Sequence, residues 1–271
     1  MQRTLWIALA WAALLSAGLA SPSLAQEAIN TPSATQPAKG VAALRLQTRV
    51  LRLDDDPTGL GRRATVLTES ASVSYGLSRN ASITLTMPVS LRHEREAGEL
   101  DRDLGFGDLA VGVKYRVWQR DTGAISFQRI ALLAGAETPT GSGDLSSHSF
   151  DPYVGAVFTG VWERHGFNQS VRYAFNTGTD ETPLMPGQGE DDALYLDSAY
   201  LYRFSPEAYA SDTDASFYGV LELNTLYETG GDWEALLSPG VLYEARRFAV
   251  EVGVQAPVYQ RVSNRPEVEW G

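Results

Sequence analysis

The feature that most restricts this chain is an alternation of apolar and polar residues with a period of two, repeated over almost its whole length. Ile83, Leu85, Met87, Val89 and Leu91 alternate with Ser82, Thr84, Thr86, Pro88 and Ser90. Leu109, Val111, Val113, Tyr115 and Val117 alternate with Asp108, Ala110, Gly112, Lys114 and Arg116. Phe248, Val250, Val252, Val254, Ala256 and Val258 interleave with Ala249, Glu251, Gly253 and Gln255. Successive side chains of a strand point to opposite faces, so each run is a strand with one apolar and one polar face. Helical periodicity is absent, which excludes βαβ units and a nucleotide-binding fold.

The pattern predicts strands at 42–53, 63–75, 81–91, 106–119, 125–137, 152–162, 167–176, 193–204, 216–228, 233–244 and 248–258, eleven in all, with a twelfth opening near Glu267. Strands of about 10–13 residues match a tilted membrane crossing better than the globular average of about 5–6. The expectation is an all-β fold, a transmembrane up-and-down antiparallel β-barrel of about 12 strands over 40–271, with the last strand reading as cut short at Gly271.

The N-terminal region sets the compartment. Arg3, the apolar run Leu5 to Leu19 and the small-x-small triplet Ser23-Leu24-Ala25 form a signal peptide at 1–25. Residues 26–39 are rich in Pro, Ser, Thr and Ala without period, and are expected to be a flexible periplasmic tail. Mean hydropathy is −0.18, a value a barrel shares with soluble proteins because half of each strand faces a polar lumen. The chain has no cysteine, so sheet closure and packing must hold it. Its net charge of −11 excludes nucleic acid as a partner.

With a periplasmic N-terminus, the outer connections are 54–62, 92–105, 138–151 and 176–192, and the intervening turns are shorter. The alternation of long and short fails after the eighth strand, where 205–215 is long and 229–232 short. Tyr75, Trp118, Trp162, Tyr195, Tyr202, Phe204, Tyr227, Trp233, Tyr243 and Tyr259 stand near strand ends, where interfacial aromatic girdles belong. The outer connections are acidic, with Asp54 to Asp56, Glu94 to Asp103 and Asp180 to Asp192 as the densest runs. They read either as solvated loops or as carboxylates bridged by divalent cations to lipopolysaccharide.

Gly105-Phe106-Gly107-Asp108-Leu109 with Val113-Lys114-Tyr115, then Thr138-Pro139-Thr140-Gly141, Ser238-Pro239-Gly240 and Gln255-Ala256-Pro257-Val258, form a set in fixed order. In this set the chain resembles the outer-membrane family labelled for the meta-pathway of phenol degradation, whose members are described as transporters. The resemblance implies passage of aromatic or other small organic molecules. The motifs also have local readings: Asp108 is placed to accept free backbone amides, and Pro239 and Pro257 mark bulges.

No metal-spaced cluster includes His93, His148 or His165, and no nucleophile motif is present, so no catalytic, cofactor or metal site is expected. Ser146-Ser147-His148-Ser149 resembles the His and Ser of outer-membrane phospholipases, but the position two after His148 is Phe150. The candidate functional residues are the charges on the polar strand faces: Arg45, Arg49, Lys114, Arg116, Arg172, Glu222 and Glu251. On the lipid face a mid-membrane Lys or Arg would cost about 2–4 kcal/mol, so these are expected to line the lumen. The expected function is a channel or transporter for small molecules in the bacterial outer membrane; the alternative is a non-conducting structural or surface-interaction barrel. The expected partners are outer-membrane lipid, lipopolysaccharide, a small-molecule solute and the barrel-assembly machinery.

Overall fold

The structure, a computed structural model, describes residues 27–210 and 213–271; the expected signal peptide at 1–25 lies outside the described residues. The strands are β1 (Ala42–Asp54), β2 (Arg63–Gly76), β3 (Ala81–Glu96), β4 (Glu99–Phe106), β5 (Leu109–Asp121), β6 (Phe127–Thr138), β7 (Asp151–Trp162), β8 (His165–Ala174), β9 (Ala193–Ser205), β10 (Ala215–Glu228), β11 (Trp233–Ala245), β12 (Ala249–Gly253), β13 (Ala256–Arg261) and β14 (Glu267–Trp270). All pair antiparallel in one curled sheet of order β12-β11-β10-β9-β8-β7-β6-β5-β3-β2-β1-β14, with β13 beside β11 and β4 beside β3. β4 and β5 are two parts of one wall strand, as are β12 and β13, so the wall has the twelve strands that the alternation requires. β14 pairs with β1 at Arg52–Asp54. Gly271, just beyond it, exchanges two backbone hydrogen bonds of 2.8 Å with Gln255, and so brings the two ends of the sheet together.

Burial is inverted relative to a soluble protein. Val252 is 71% exposed, whereas Glu222 is 2% and Arg265 0% exposed. Val113, Tyr115, Leu132, Val154, Val171, Leu196, Leu221 and Val241 cover the outside. Thr159, Asn168, Ser170, Glu222 and Ser238 are buried on the other face. This is the arrangement of a sheet with lipid outside and polar groups inside. Glu69 departs from it: the carboxylate sits mid-strand on the outer face and accepts a hydrogen bond from the Thr48 hydroxyl of β1.

The break between β4 and β5 has an identifiable cause. Pro88 of β3 has no N–H to give, so the partner strand loses a rung there. Val89 pairs with Phe106 and Thr86 with Ala110, which leaves three residues opposite two. That is a bulge. Gly107 fits because a Cβ would lie 2.9 Å from the Pro88 Cγ. The side chain of Asp108, released from the ladder, accepts from the N–H groups of Thr140, Gly141 and Ser147 and from the hydroxyls of Ser146 and Ser147, at 2.6–3.0 Å. The second break, at Val254 and Gln255 between β12 and β13, faces Ser238 and Pro239 of β11, and just beyond it, beside Pro257, pairing with β11 shifts register between Ala235 and Leu236.

Segment 92–105, expected as a loop, is instead mostly a hairpin. Ala97 and Gly98 have φ of 49° and 91°, the two positive values that a two-residue hairpin turn needs. Arg92 and Asp103, opposite each other, form a 2.6 Å ion pair. Charge on both faces does not disfavour a strand that projects past the membrane into water.

Replacing Asp108 with Ala should strand three backbone N–H groups of the 139–150 loop and cost about 2–3 kcal/mol. The check is the temperature at which the heat-modifiable band is lost on a gel, with Asp108→Asn expected to lie between wild type and Asp108→Ala.

Candidate functional site

Residues 27–39 are not a free tail. They enter at the short-turn end, where the N–H of Gly40 bonds the Gly76 carbonyl and Gln36 bonds the Arg79 carbonyl. They then cross the interior. Ala28, Thr31, Ser33, Ala34 and Thr35 are buried, and Ala28 packs with Ala199, Leu201, Tyr218, Val220 and Leu242 of β9 to β11. This corrects the expectation of a flexible segment. No charged residue occurs between Glu27 and Lys39, and Pro32 and Pro37 bring no N–H. The segment therefore has few groups that demand water, and the wall satisfies them.

Three of the seven predicted charges are used on this segment. Lys114 Nζ donates to the carbonyls of Ser33 (2.6 Å) and Thr35 (3.0 Å). Arg45 donates to the carbonyls of Ala28 and Ile29 and lies 3.8 Å from the Glu27 carboxylate. Glu222 accepts from the N–H of Asn30 at 3.0 Å and from its side-chain amide at 3.2 Å. Thr159 accepts from the N–H of Ala34 at 2.8 Å and donates to Asn168 at 2.7 Å.

A second line of side chains crosses the interior beside the segment. Arg49 donates to Gln255 (2.7 Å), Gln255 to Asn224 (3.2 Å), and Asn224 to Asp197 (3.1 Å). Arg49, Glu222, Glu251 and Gln255 border a cavity of about 220 Å³ that Ile29 and Asn30 close on one side. Arg172 lies over the rings of Tyr195 (4.0 Å) and Tyr153 (5.3 Å). Gly112 and Gly135 leave room for the Tyr153 hydroxyl, which a Cβ at either would meet at 2.4–2.5 Å. Arg116 stands apart from the others, at the short-turn end on the Arg79 carbonyl and the Asn80 side chain.

A scan against protein-family models matches residues 30–267 to the family described as "Putative MetA-pathway of phenol degradation". The chain belongs to this family. The match starts inside the crossing segment, so the family pattern includes part of it. Among curated proteins, none matches the chain. Among solved structures the fold is similar to the crystal structure of the COG4313 outer membrane channel from Pseudomonas putida F1. The TM-score is 0.58 at 11% identity, over 87% of this chain and 93% of the other. At that identity the likeness concerns the fold.

Both mouths of this family member are also occupied. At the short-turn end, residues 206–210 of a connection too long for its place in the alternation turn inward. Tyr209 bonds the hydroxyl of Tyr218 at 2.8 Å, and the guanidinium of Arg203 lies 4.0 Å from the Tyr209 ring. At the long-loop end Arg265 is wholly buried and paired with Glu228 and Glu234, both at 3.2 Å. Arg62, also buried, pairs with Asp56 at 3.0 Å and donates to the carbonyls of Thr182 (2.6 Å) and Asn264 (3.4 Å). Leu184 and Met185 of the loop 176–192 pack against Leu51, Leu53, Ala64, Val66, Leu236 and Val268 on the interior face.

Ser146, Ser147 and Ser149 are engaged with Asp108 and Asp151 as loop supports. His148 adopts a φ of 55° between them. Asp101, Asp103 and Asp144 bring their carboxylates together, and Arg92 stands among them, 2.6 Å from Asp103 and 3.6 Å from Asp144. Sequence reasoning missed the segment, Thr159, Asp197, Arg62 and Arg265, whereas Asn224 and Gln255 stand at positions it assigns to the inner face. The lack of charge from Ala28 to Ala38 was the available signal, because a solvated tail is ordinarily charge-rich.

Lys114→Met should release the segment, since it leaves two carbonyls without a donor. Amide exchange at Asn30 and Ala34, read by mass spectrometry, should accelerate by about tenfold or more. A second expectation concerns acid. Burial pushes the Asp56 carboxyl up, but Arg62 and Thr58 outweigh it and lower it from 3.8 to about 2. A depressed carboxyl stabilises fully above its unfolded value, so the Asp56–Arg62 contribution should be intact above pH 3.8 and fade as pH falls towards about 2. Exchange at the Arg62 amide, which also bonds Asp56, should rise only in that window, and Asp56→Asn should abolish the dependence.

Proposed function

We propose that the protein is an outer-membrane channel for small organic solutes, closed along its axis by its own N-terminal segment. The observation that carries this reading is the interior itself. It is largely polar and of mixed charge, and its cations and carboxylates hold residues 28–35 through hydrogen bonds to backbone, beside small apolar contacts at Ala28 and Ala34. Such a contact is exchangeable, because solvent or a polar solute offers the same donors and acceptors. The family description and the likeness to an outer membrane channel support the compartment and the class, and the phenol-degradation label supports organic solutes. The signal peptide supports export, lipid and lipopolysaccharide as surroundings, and insertion by the barrel-assembly machinery. We infer that Arg45, Arg49, Lys114, Arg172, Glu222 and Glu251 line the route, with Arg116 at its periplasmic rim.

One observation favours the non-conducting alternative: the interior is filled at three levels, by the Tyr209 connection, the N-terminal segment and the 176–192 loop. Single-channel recording in planar bilayers separates the two. The full chain should conduct little, and a variant lacking residues 27–37 severalfold more. Arg45→Gln with Lys114→Gln should raise conductance and shift ion preference towards cations, because positive wall charge favours anions. A folded barrel that stays silent in all three forms is a structural barrel.

A further inference from the structure

We propose that loop 176–192 is a lid over the long-loop mouth, seated by Leu184 and Met185 and clasped by Arg62. The loop is rooted on β8 and β9, and its tip rests on residues of β1, β2, β11 and β14. In the sheet order five strands separate β8 from β1 in either direction. The tip therefore reaches the wall across the barrel from its root, at β1, β2 and β14, while it also touches β11, two strands from β9, and so the loop spans the opening.

Its attachments differ along its length. Near the root it is held by its own strands and their neighbour. Asn176 donates to the carbonyls of Gly187 (3.1 Å) and Asp191 (2.7 Å), its N–H bonds Asp192, and the N–H of Thr177 bonds Asp151. At the tip the polar grip on the far wall is one bond, from Arg62 to the Thr182 carbonyl, and Gly187 adds one from its N–H to Glu228 at 3.1 Å. Pro183 and Pro186 bracket Leu184 and Met185 and stiffen the tip. Gly187 and Gly189, at φ of 74° and 108°, hold conformations that a side chain would strain, and they place the turning points beside the tip.

The partners do not depend on the lid. When the tip leaves, Arg62 keeps Asp56 and the Asn264 carbonyl, and Glu228 keeps Arg265. No buried charge is stranded, so opening costs one charge-assisted hydrogen bond, the bond to Glu228 and the apolar seat. That is a cost a thermal opening can meet, unlike the breaking of a buried ion pair.

The absence of cysteine makes the test direct. Met185→Cys places a thiol in the seat, and Gln188→Cys, at an exposed position, is the reference. The purified full chain in liposomes is treated with a water-soluble maleimide, and folding of each variant is checked by heat-modifiable migration. Met185→Cys should react about tenfold or more slowly than Gln188→Cys, and Arg62→Gln should bring its rate close to the reference. Leu184→Ser, which leaves Arg62 intact, should also speed the reaction, and it decides the matter should Arg62→Gln fail to fold. A thiol at 185 that reacts as fast as one at 188 in the otherwise unaltered protein would overturn the lid. An unchanged rate in a folded Arg62→Gln variant would overturn the clasp. The proposal rests on the channel reading for its purpose, but labelling reads the lid independently of conductance. A protected thiol on a silent barrel supports the lid and removes the channel; an unprotected one on a conducting barrel does the reverse.

Discussion

A wall of strands in lipid has no water to hydrogen-bond its backbone, and the rest of this structure is arranged around that constraint. Each N–H and C=O inside the membrane must find its partner in the neighbouring strand. The antiparallel ladder meets the demand from β1 to β12, and β14 brings the two ends of the sheet together. The side chains then have only two destinations: apolar residues face outward and polar residues inward. An interior of polar side chains is itself in need of partners, because unsatisfied buried groups cost about 1–3 kcal/mol each. The N-terminal segment supplies those partners. Its carbonyls accept hydrogen bonds from Lys114 and Arg45, and its N–H groups donate to Glu222 and Thr159. The segment and the wall satisfy one another.

Where the ladder fails, the freed groups are put to use. Pro88 removes a rung, the opposing strand bulges at Gly107-Asp108, and the released carboxylate organises the 139–150 loop through five donors. The same economy holds at the long-loop mouth. Arg62 joins the β1–β2 connection, the 176–192 loop and the β13–β14 connection through one buried guanidinium. An arginine suits this position because its planar fork of donors serves several acceptors at once.

Much of the wall was legible in the sequence. Ile83 to Leu91 and Leu109 to Val117 declare strands because period two has no other structural meaning at that length. The bulge at Pro257 and the receptive Asp108 were legible from residue type alone. Arg45, Arg49, Lys114, Arg172, Glu222 and Glu251 were assigned to the inner face by parity; in the structure Arg45, Lys114 and Glu222 bond the N-terminal segment and Arg49 bonds Gln255. Their partners were not legible. Lys114 is 81 residues from Ser33, and Asn30 is 192 residues from Glu222. No local pattern encodes contacts at such separations. Two connections were misjudged for a related reason: charge in 92–105 suggested a loop where water on both faces permits a hairpin, and the length of 205–215 did not reveal that Tyr209 turns inward.

The sequence by itself determined the number of wall strands, their register of apolar and polar faces and the sign of the charges they carry, because these depend on residue spacing along one strand. Only the tertiary structure decided what fills the interior. Whether a polar wall meets water, a segment of its own chain or a lid depends on closure of the sheet, which sets side chains from distant strands around one enclosed space, and closure is a property of the whole ladder that no single strand contains.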